Sequence, residues 1–212
     1  MSSQQFLDEL LTYYTGDGDA REWMRRPNTV GDHTYATDAR SLIIVPNDRL
    51  KTAYVCHEKV ADFKKFLGDI KPVDPVVYSF NDLDTILNKV EKVYDSAPCD
   101  DCDGEGKCFH CGADCDTCRG SGEVIDVSLP KVFPKQESAI RISDILICPY
   151  YMDLLRKTLK ALRSDTFTMG WKNSGQIMFS IGDIRILFAG LYAGAFDHKE
   201  YPVLDLNPIE IQ

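Results

Sequence analysis

Six of the chain's eight cysteines stand between residues 99 and 118, as three C-x-x-C pairs: Cys99 with Cys102, Cys108 with Cys111, and Cys115 with Cys118. Zinc takes four ligands in a tetrahedron and favours thiolate sulfur in structural sites. Two residues between cysteines let one tight turn aim both sulfurs at one ion. The first and third pairs continue identically as C-x-x-C-x-G-x-G, ending at Gly106 and Gly122. Those glycines permit backbone conformations that a Cβ forbids, and they let backbone N–H groups approach the thiolates. Two such turns facing each other make a closed site. The preferred ligand set is therefore Cys99, Cys102, Cys115 and Cys118.

The middle pair lies in Cys108-Phe109-His110-Cys111-Gly112. It can complete a second site with His110 and one further ligand, replace an outer pair, or stay reduced and unligated. The expected cofactor is Zn2+, one or two ions, with all six cysteines as candidate ligands. Disulfide frameworks suit small secreted domains, but the start, Met1-Ser2-Ser3-Gln4-Gln5, lacks the basic-then-apolar run of an export signal. An intracellular, reducing, cytoplasmic setting is expected. Redox work by one C-x-x-C is an alternative that three pairs with paired glycines fit less well. Cys56 and Cys148, in apolar strand-like surroundings, read as buried thiols.

The remaining composition sets limits. The chain has 212 residues, 44% of them hydrophobic, enough for one substantial domain with a small insert. No apolar run is long enough to span a bilayer, so no membrane partner is expected. The formal net charge of −9 argues against a generally basic nucleic-acid coat. The cysteine segment is itself acidic, with Asp95, Asp100, Asp101, Asp103, Glu105, Asp114 and Asp116 against Lys107 and Arg119. Phosphate neutralisation supplies most DNA affinity, so this segment makes a poor DNA reader.

Apolar spacing predicts helices over 4–14, 20–25, 57–68 and 81–94, the last capped by Asn81. A hairpin is expected from 34–37 and 41–45 around Asp38-Ala39-Arg40. After Gly122 the reading is strands over 124–129 and 139–148, an amphipathic helix over 150–163, and strands over 166–171, 176–181 and 184–189. An extended tail covers 197–212. The parts are an N-terminal α+β half (1–96), the zinc insert (97–124) and a C-terminal half with tail (125–212).

Two resemblances attach to these residues. The paired C-x-x-C-x-G-x-G motifs resemble the zinc-binding region of DnaJ-type chaperones over residues 99–122, with two motifs where those proteins have four. No His-Pro-Asp tripeptide of their J-domain occurs, so co-chaperone activity is not implied. The stretch from Gly31 to Leu42, containing Ala36-Thr37-Asp38-Ala39-Arg40-Ser41-Leu42, resembles the hairpin of bacterial sliding clamps (DNA polymerase III beta), with alanine in place of their glycine. Tyr151-Met152-Asp153-Leu154-Leu155 and the strands to 189 resemble a clamp βαβββ unit, although Phe188-Ala189-Gly190 replaces that family's final motif. The combination is similar to a group of bacteriophage and bacterial proteins. It implies an α+β fold of sliding-clamp-like βαβββ units with an inserted cysteine-rich zinc module. Ring closure would need further copies or a partner, so the oligomeric state stays open.

On the helix over 150–163, Met152, Leu155, Leu159 and Leu162 form the apolar stripe. Arg156, Lys157, Lys160 and Arg163 gather opposite, where clamps present basic faces to DNA phosphates. The same residues also suit an ordinary solvated face with cations near the helix C-terminus. The four histidines, His33, His57, His110 and His198, fit no metallohydrolase spacing. There is no P-loop and no G-x-S-x-G elbow, and a closed four-cysteine zinc has no open position for water. The expectation is a protein that is not an enzyme, acting in phage or mobile-element DNA metabolism through DNA or a replication-type complex. The alternative is a zinc-module adaptor for a protein partner, such as a host protein, without DNA binding.

Overall fold

The computed structural model describes residues 3–16, 21–58, 71–93, 96–125, 138–173, 175–191 and 202–209. The fold is α+β. The chain divides into two compact units: Val90–Pro134, and the flanking stretches Met1–Lys89 and Lys135–Gln212 together.

The larger unit opens with helix α1 (Ser3–Thr12), a 3-10 turn at Glu22–Met24, and strands β1 (Asn28–Val30), β2 (His33–Thr37) and β3 (Ser41–Pro46). Strand β4 (Lys71–Ser79) runs into helix α2 (Phe80–Lys89). The smaller unit contributes β5 (Ser96–Pro98) and β6 (Glu123–Ile125). The larger unit resumes with β7 (Ala139–Ile142), β8 (Ile145–Ile147), helix α3 (Pro149–Leu162), β9 (Thr166–Lys172), β10 (Gln176–Ile181), β11 (Ile184–Ala189) and β12 (Val203–Asp205).

Seven of these strands form one sheet in the order β1-β2-β3-β11-β10-β9-β4, antiparallel throughout. A second sheet pairs β12 parallel to β7 and β7 antiparallel to β8. Helix α3 packs against both α1 and α2. Aromatic rings cross the larger sheet: Tyr78 stacks on Phe167 (5.4 Å between centroids), Phe167 meets Phe179 edge-on (5.3 Å), and Phe188 links Phe179 to Tyr151 of α3. Such pairs add to simple area burial. A buried polar bond ties Tyr14, in the turn after α1, to Thr158 of α3, hydroxyl to hydroxyl at 3.0 Å. Burial pushes the Tyr14 hydroxyl far above its ordinary pKa, so it stays protonated.

Several expectations change here. The reading of 139–148 as one strand becomes the β7–β8 hairpin, turned at Ser143 with φ 56°. The cap of α2 is the Ser79 hydroxyl, which accepts the Asn81 N–H at 3.1 Å; Asn81 is inside the helix. The short helix over 20–25 is a 3-10 turn. Cys56 is exposed rather than buried, whereas Cys148 is buried. Part of the expected tail is strand β12. The helix expected over 57–68 lies largely outside the described residues, as do Asp95 and the strand expectation beyond Ile125.

Candidate metal centre

The smaller unit is built from one turn used twice. In the first copy the Gly104 N–H donates to Cys99 O (3.1 Å) and the Glu105 N–H to Cys102 O (2.9 Å). In the second, the Gly120 N–H donates to Cys115 O (3.2 Å) and the Ser121 N–H to Cys118 O (3.1 Å). The copies then lock reciprocally: the Cys99 N–H donates to Gly122 O (2.8 Å), and the Cys115 N–H to Gly106 O (2.9 Å). Thr117 donates to the Asp101 carboxylate, joining equivalent positions of the two motifs. Strands β5 and β6 close the base of the module.

Glycine is required where the copies touch. Gly106 and Gly122 have φ of 74° and 78°. A Cβ on Gly106 would lie 2.4 Å from Gly120 O, and one on Gly122 would lie 2.2 Å from Gly104 O. Neither backbone oxygen can yield as a side chain could.

This frame gathers the sulfurs of Cys99, Cys102, Cys115 and Cys118 within 4.8 Å of one another. The Cys99 and Cys115 sulfurs are 3.8 Å apart, and those of Cys102 and Cys118 are 3.7 Å apart. A tetrahedral ion with sulfur ligands at about 2.3 Å spaces them by roughly this distance. A disulfide needs about 2.05 Å, so neither pair is disulfide-bonded. The Gly106 N–H points at Cys102 Sγ (3.2 Å) and the Gly122 N–H at Cys118 Sγ (3.3 Å). These are the outer-shell bonds that orient ligating thiolates. All four cysteines are buried, with Val124 packed against them.

The electrostatics follow from burial. Without a cation, burial pushes the Cys99 thiol up to about 12 and raises Cys102. At Cys118 burial acts the same way, but hydrogen bonds from the Gly122 N–H and then from neighbouring thiols outweigh it and bring the thiol to about 7. A buried pocket of thiols that accepts backbone N–H bonds suits a soft divalent cation, whose charge offsets the cost of four thiolates.

The other candidates fall elsewhere. Cys108 is half-buried and Cys111 and His110 are exposed; none belongs to the four-sulfur group. In the larger unit, Arg156 bonds Asp84 (3.1 Å) and also pairs with Asp153. Lys157 pairs with Asp153 (3.2 Å), and Lys160 lies 3.6 Å from Asp84 and over the Phe80 ring. Arg163 is the left-handed C-cap of α3. The basic cluster is thus interlaced with carboxylates. The Asp153 partnership is legible in its i,i+3 and i,i+4 spacing; Asp84 arrives from another helix and has no local signal. At the hairpin turn, Asp38 accepts the N–H groups of Arg40 and Ser41, and the Tyr151 hydroxyl donates to it at 3.2 Å, a structural arrangement.

No protein-family model matches the chain, and no curated protein does. Among solved structures it is similar to the DNA polymerase sliding clamp of Bacillus subtilis, with 10% identity and a TM-score of 0.47 over 90% of this chain and 63% of that one. It is also similar to the DNA polymerase III beta chain of Streptococcus pneumoniae, with 10% identity and a TM-score of 0.48 over 91% and 64%. The beta subunit of Thermotoga maritima gives 12% identity and a TM-score of 0.43 over 94% and 65%. The chain spans less than two thirds of the length of these three structures.

Proposed function

We propose that this is a non-enzymatic binding protein in which one zinc ion, held by Cys99, Cys102, Cys115 and Cys118, shapes the smaller unit into an adaptor surface for a basic protein partner. The carrying observation is the group of four buried sulfurs at tetrahedral spacing. A closed four-thiolate ion has no open coordination position, so it shapes the chain instead of activating water. Around it, Asp100, Asp103, Glu105 and Asp116 are exposed, and the Asp101 and Asp114 side chains, also exposed, are tied to Thr117 and Lys107. That surface repels phosphate and attracts cations.

A second reading has the chain acting in phage or mobile-element DNA metabolism, through DNA or a DNA-bound complex. It is favoured by the order β8-α3-β9-β10-β11, with Arg156, Lys157, Lys160 and Arg163 together on α3 and its cap. The carboxylates that pair three of these four weaken it.

Metal analysis and duplex titration separate the readings. One zinc per chain, lost on Cys99→Ser with Cys115→Ser, is expected under both; a chain that carries no metal overturns the zinc assignment. The adaptor reading expects no duplex binding at low salt and capture of a basic protein that depends on residues 99–122. The DNA reading expects salt-dependent binding that vanishes in the Arg156→Glu, Lys160→Glu, Arg163→Glu variant.

A further inference from the structure

In the larger unit, the chain after β12 crosses from the small sheet to the edge strand β4. The Leu206 N–H donates to Arg141 O of β7 (2.9 Å), and the Ile209 N–H donates to Val77 O of β4 (2.8 Å). Residues 206–209 are thus a strap tied at both ends. A cavity of about 280 Å³ lies between this strap, β7 and the β4–β9 pair. Val76, Tyr78 and Met169 line it from the sheet, where Val76 and Met169 are register partners, and Leu206 and Pro208 line it from the strap. Sites for drug-sized ligands run from about 300 to 1,000 Å³, so this one suits a small molecule with an apolar body.

One polar group in that apolar lining lacks a partner. Tyr78 is 2% exposed, and its ring is held by Phe167 and Phe179. Tyr14, Tyr54 and Tyr151 each place their hydroxyl on a partner, respectively Thr158, Asp8 and Asp38. Among the described residues nothing does the same for Tyr78, and burial alone raises its pKa, so the phenol keeps its proton. Its oxygen is not sealed in: the sealed unpartnered side-chain oxygen among the described residues is that of Ser138. The residual exposure of Tyr78 is therefore at the cavity it lines. Withholding a partner from such a hydroxyl is costly, and an acceptor on a ligand recovers that cost.

The rim sets the ligand's charge. Arg141 and Asp205 are register partners on β7 and β12 and pair at 3.2 Å. Ser143 Oγ accepts from Lys172 Nζ (3.0 Å), and Lys172 is itself paired with Asp144 (2.7 Å). No net charge is left to hold an ionic head. Donors are left over: the Tyr78 and Ser143 hydroxyl protons, and the Arg141 N–H groups that Asp205 does not take.

We propose that this cavity binds a small uncharged molecule with an apolar body and a carbonyl oxygen that accepts the Tyr78 O–H, an aromatic amide or ketone being the simplest case. The site lies within the larger unit and uses no cysteine, so it stands or falls apart from the zinc assignment.

The test titrates the full chain with benzamide, acetophenone and benzoate while the Met169 methyl resonance is followed by NMR. Benzamide or acetophenone is expected to shift that methyl saturably, with benzoate roughly tenfold weaker because an ion must give up its hydration. Tyr78→Phe keeps the stacked ring and removes the unpartnered oxygen. Its midpoint in urea unfolding should hold or rise, while affinity for the carbonyl probes falls about fivefold, the worth of one neutral hydrogen bond. The absence of a saturable shift with both carbonyl probes overturns the proposal and leaves the cavity to water. Benzoate binding as tight as benzamide, or carbonyl binding unchanged in Tyr78→Phe, overturns the assigned chemistry. A Tyr78→Phe chain that is clearly less stable also overturns it, because the hydroxyl then has a partner within the fold.

Discussion

At the scale of single residues, two positive-φ positions make opposite predictions. Gly106 is caught between a left-handed backbone and the carbonyl of Gly120, 2.4 Å from where a Cβ would be. Gly112 has a similar φ but open space around it. Gly106→Ala should therefore weaken zinc retention by the four-cysteine site at least tenfold in a chelator competition, while Gly112→Ala should change it little. Equal losses would mean that backbone strain, not the collision, sets the requirement. Ala39 is the converse case. It sits at φ 74° in the β2–β3 turn, where a Cβ costs about 1–2 kcal/mol. Glycine would relieve that cost but gives back about 0.5–1 kcal/mol in unfolded-state freedom. Ala39→Gly should thus stabilise the larger unit by up to about 1.5 kcal/mol in urea unfolding, and a clear loss would show that the turn depends on the Ala39 side chain.

At the scale of elements, helix α3 separates what sequence can and cannot reveal. Of its predicted stripe, Met152, Leu155 and Leu159 are fully buried and Leu162 is half-buried, and Pro149 at its start suits the first turn. The strands after it, β10 and β11, match the bounds read from the sequence, 176–181 and 184–189. Strand β4 escaped because Pro72, Asp74 and Pro75 argue against a strand. It is nevertheless an edge strand of its sheet, with its register shifting between Pro72 and Val76, where prolines are tolerated. Strand β12 has three residues and a partner more than sixty positions away in β7, so no local pattern marks it. The matched cysteine motifs were legible because their ligand spacing is local, whereas the pairing of Arg156 with Asp84 joins two helices. That pairing predicts an ordering. The Arg156 side chain is 12% exposed between two carboxylates, while Lys157 and Lys160 are half in water. Arg156→Ala should cost about 2 kcal/mol, because it strands the 12%-exposed Asp153 carboxylate without its nearest partner. Lys157→Ala and Lys160→Ala should each cost under about 0.5 kcal/mol. Equal costs in chemical unfolding would mean that the cluster is only a solvated face.

At the scale of the whole molecule, the two units depend on different physics. The larger has ringed aromatics and aliphatic side chains buried across its sheet and helices, so the hydrophobic effect can hold it. Among the described residues the smaller gathers its buried cluster from four cysteines with Val124 against them, so under the proposed zinc site the metal would supply much of its stability. Chelation should therefore act selectively. Metal removal is expected to open residues 96–125 to protease and hydrogen exchange while the amides of β3, β10 and β11 stay protected. Lowering the pH should reproduce this, since protons compete with the cation for thiolate and the metal is released as pH falls. Returning zinc at neutral pH under reducing conditions should restore protection in 96–125. If chelation instead releases the amides of the larger sheet together with those of the module, zinc stabilises the entire chain as one cooperative body, and the separation of the two cores is not thermodynamic.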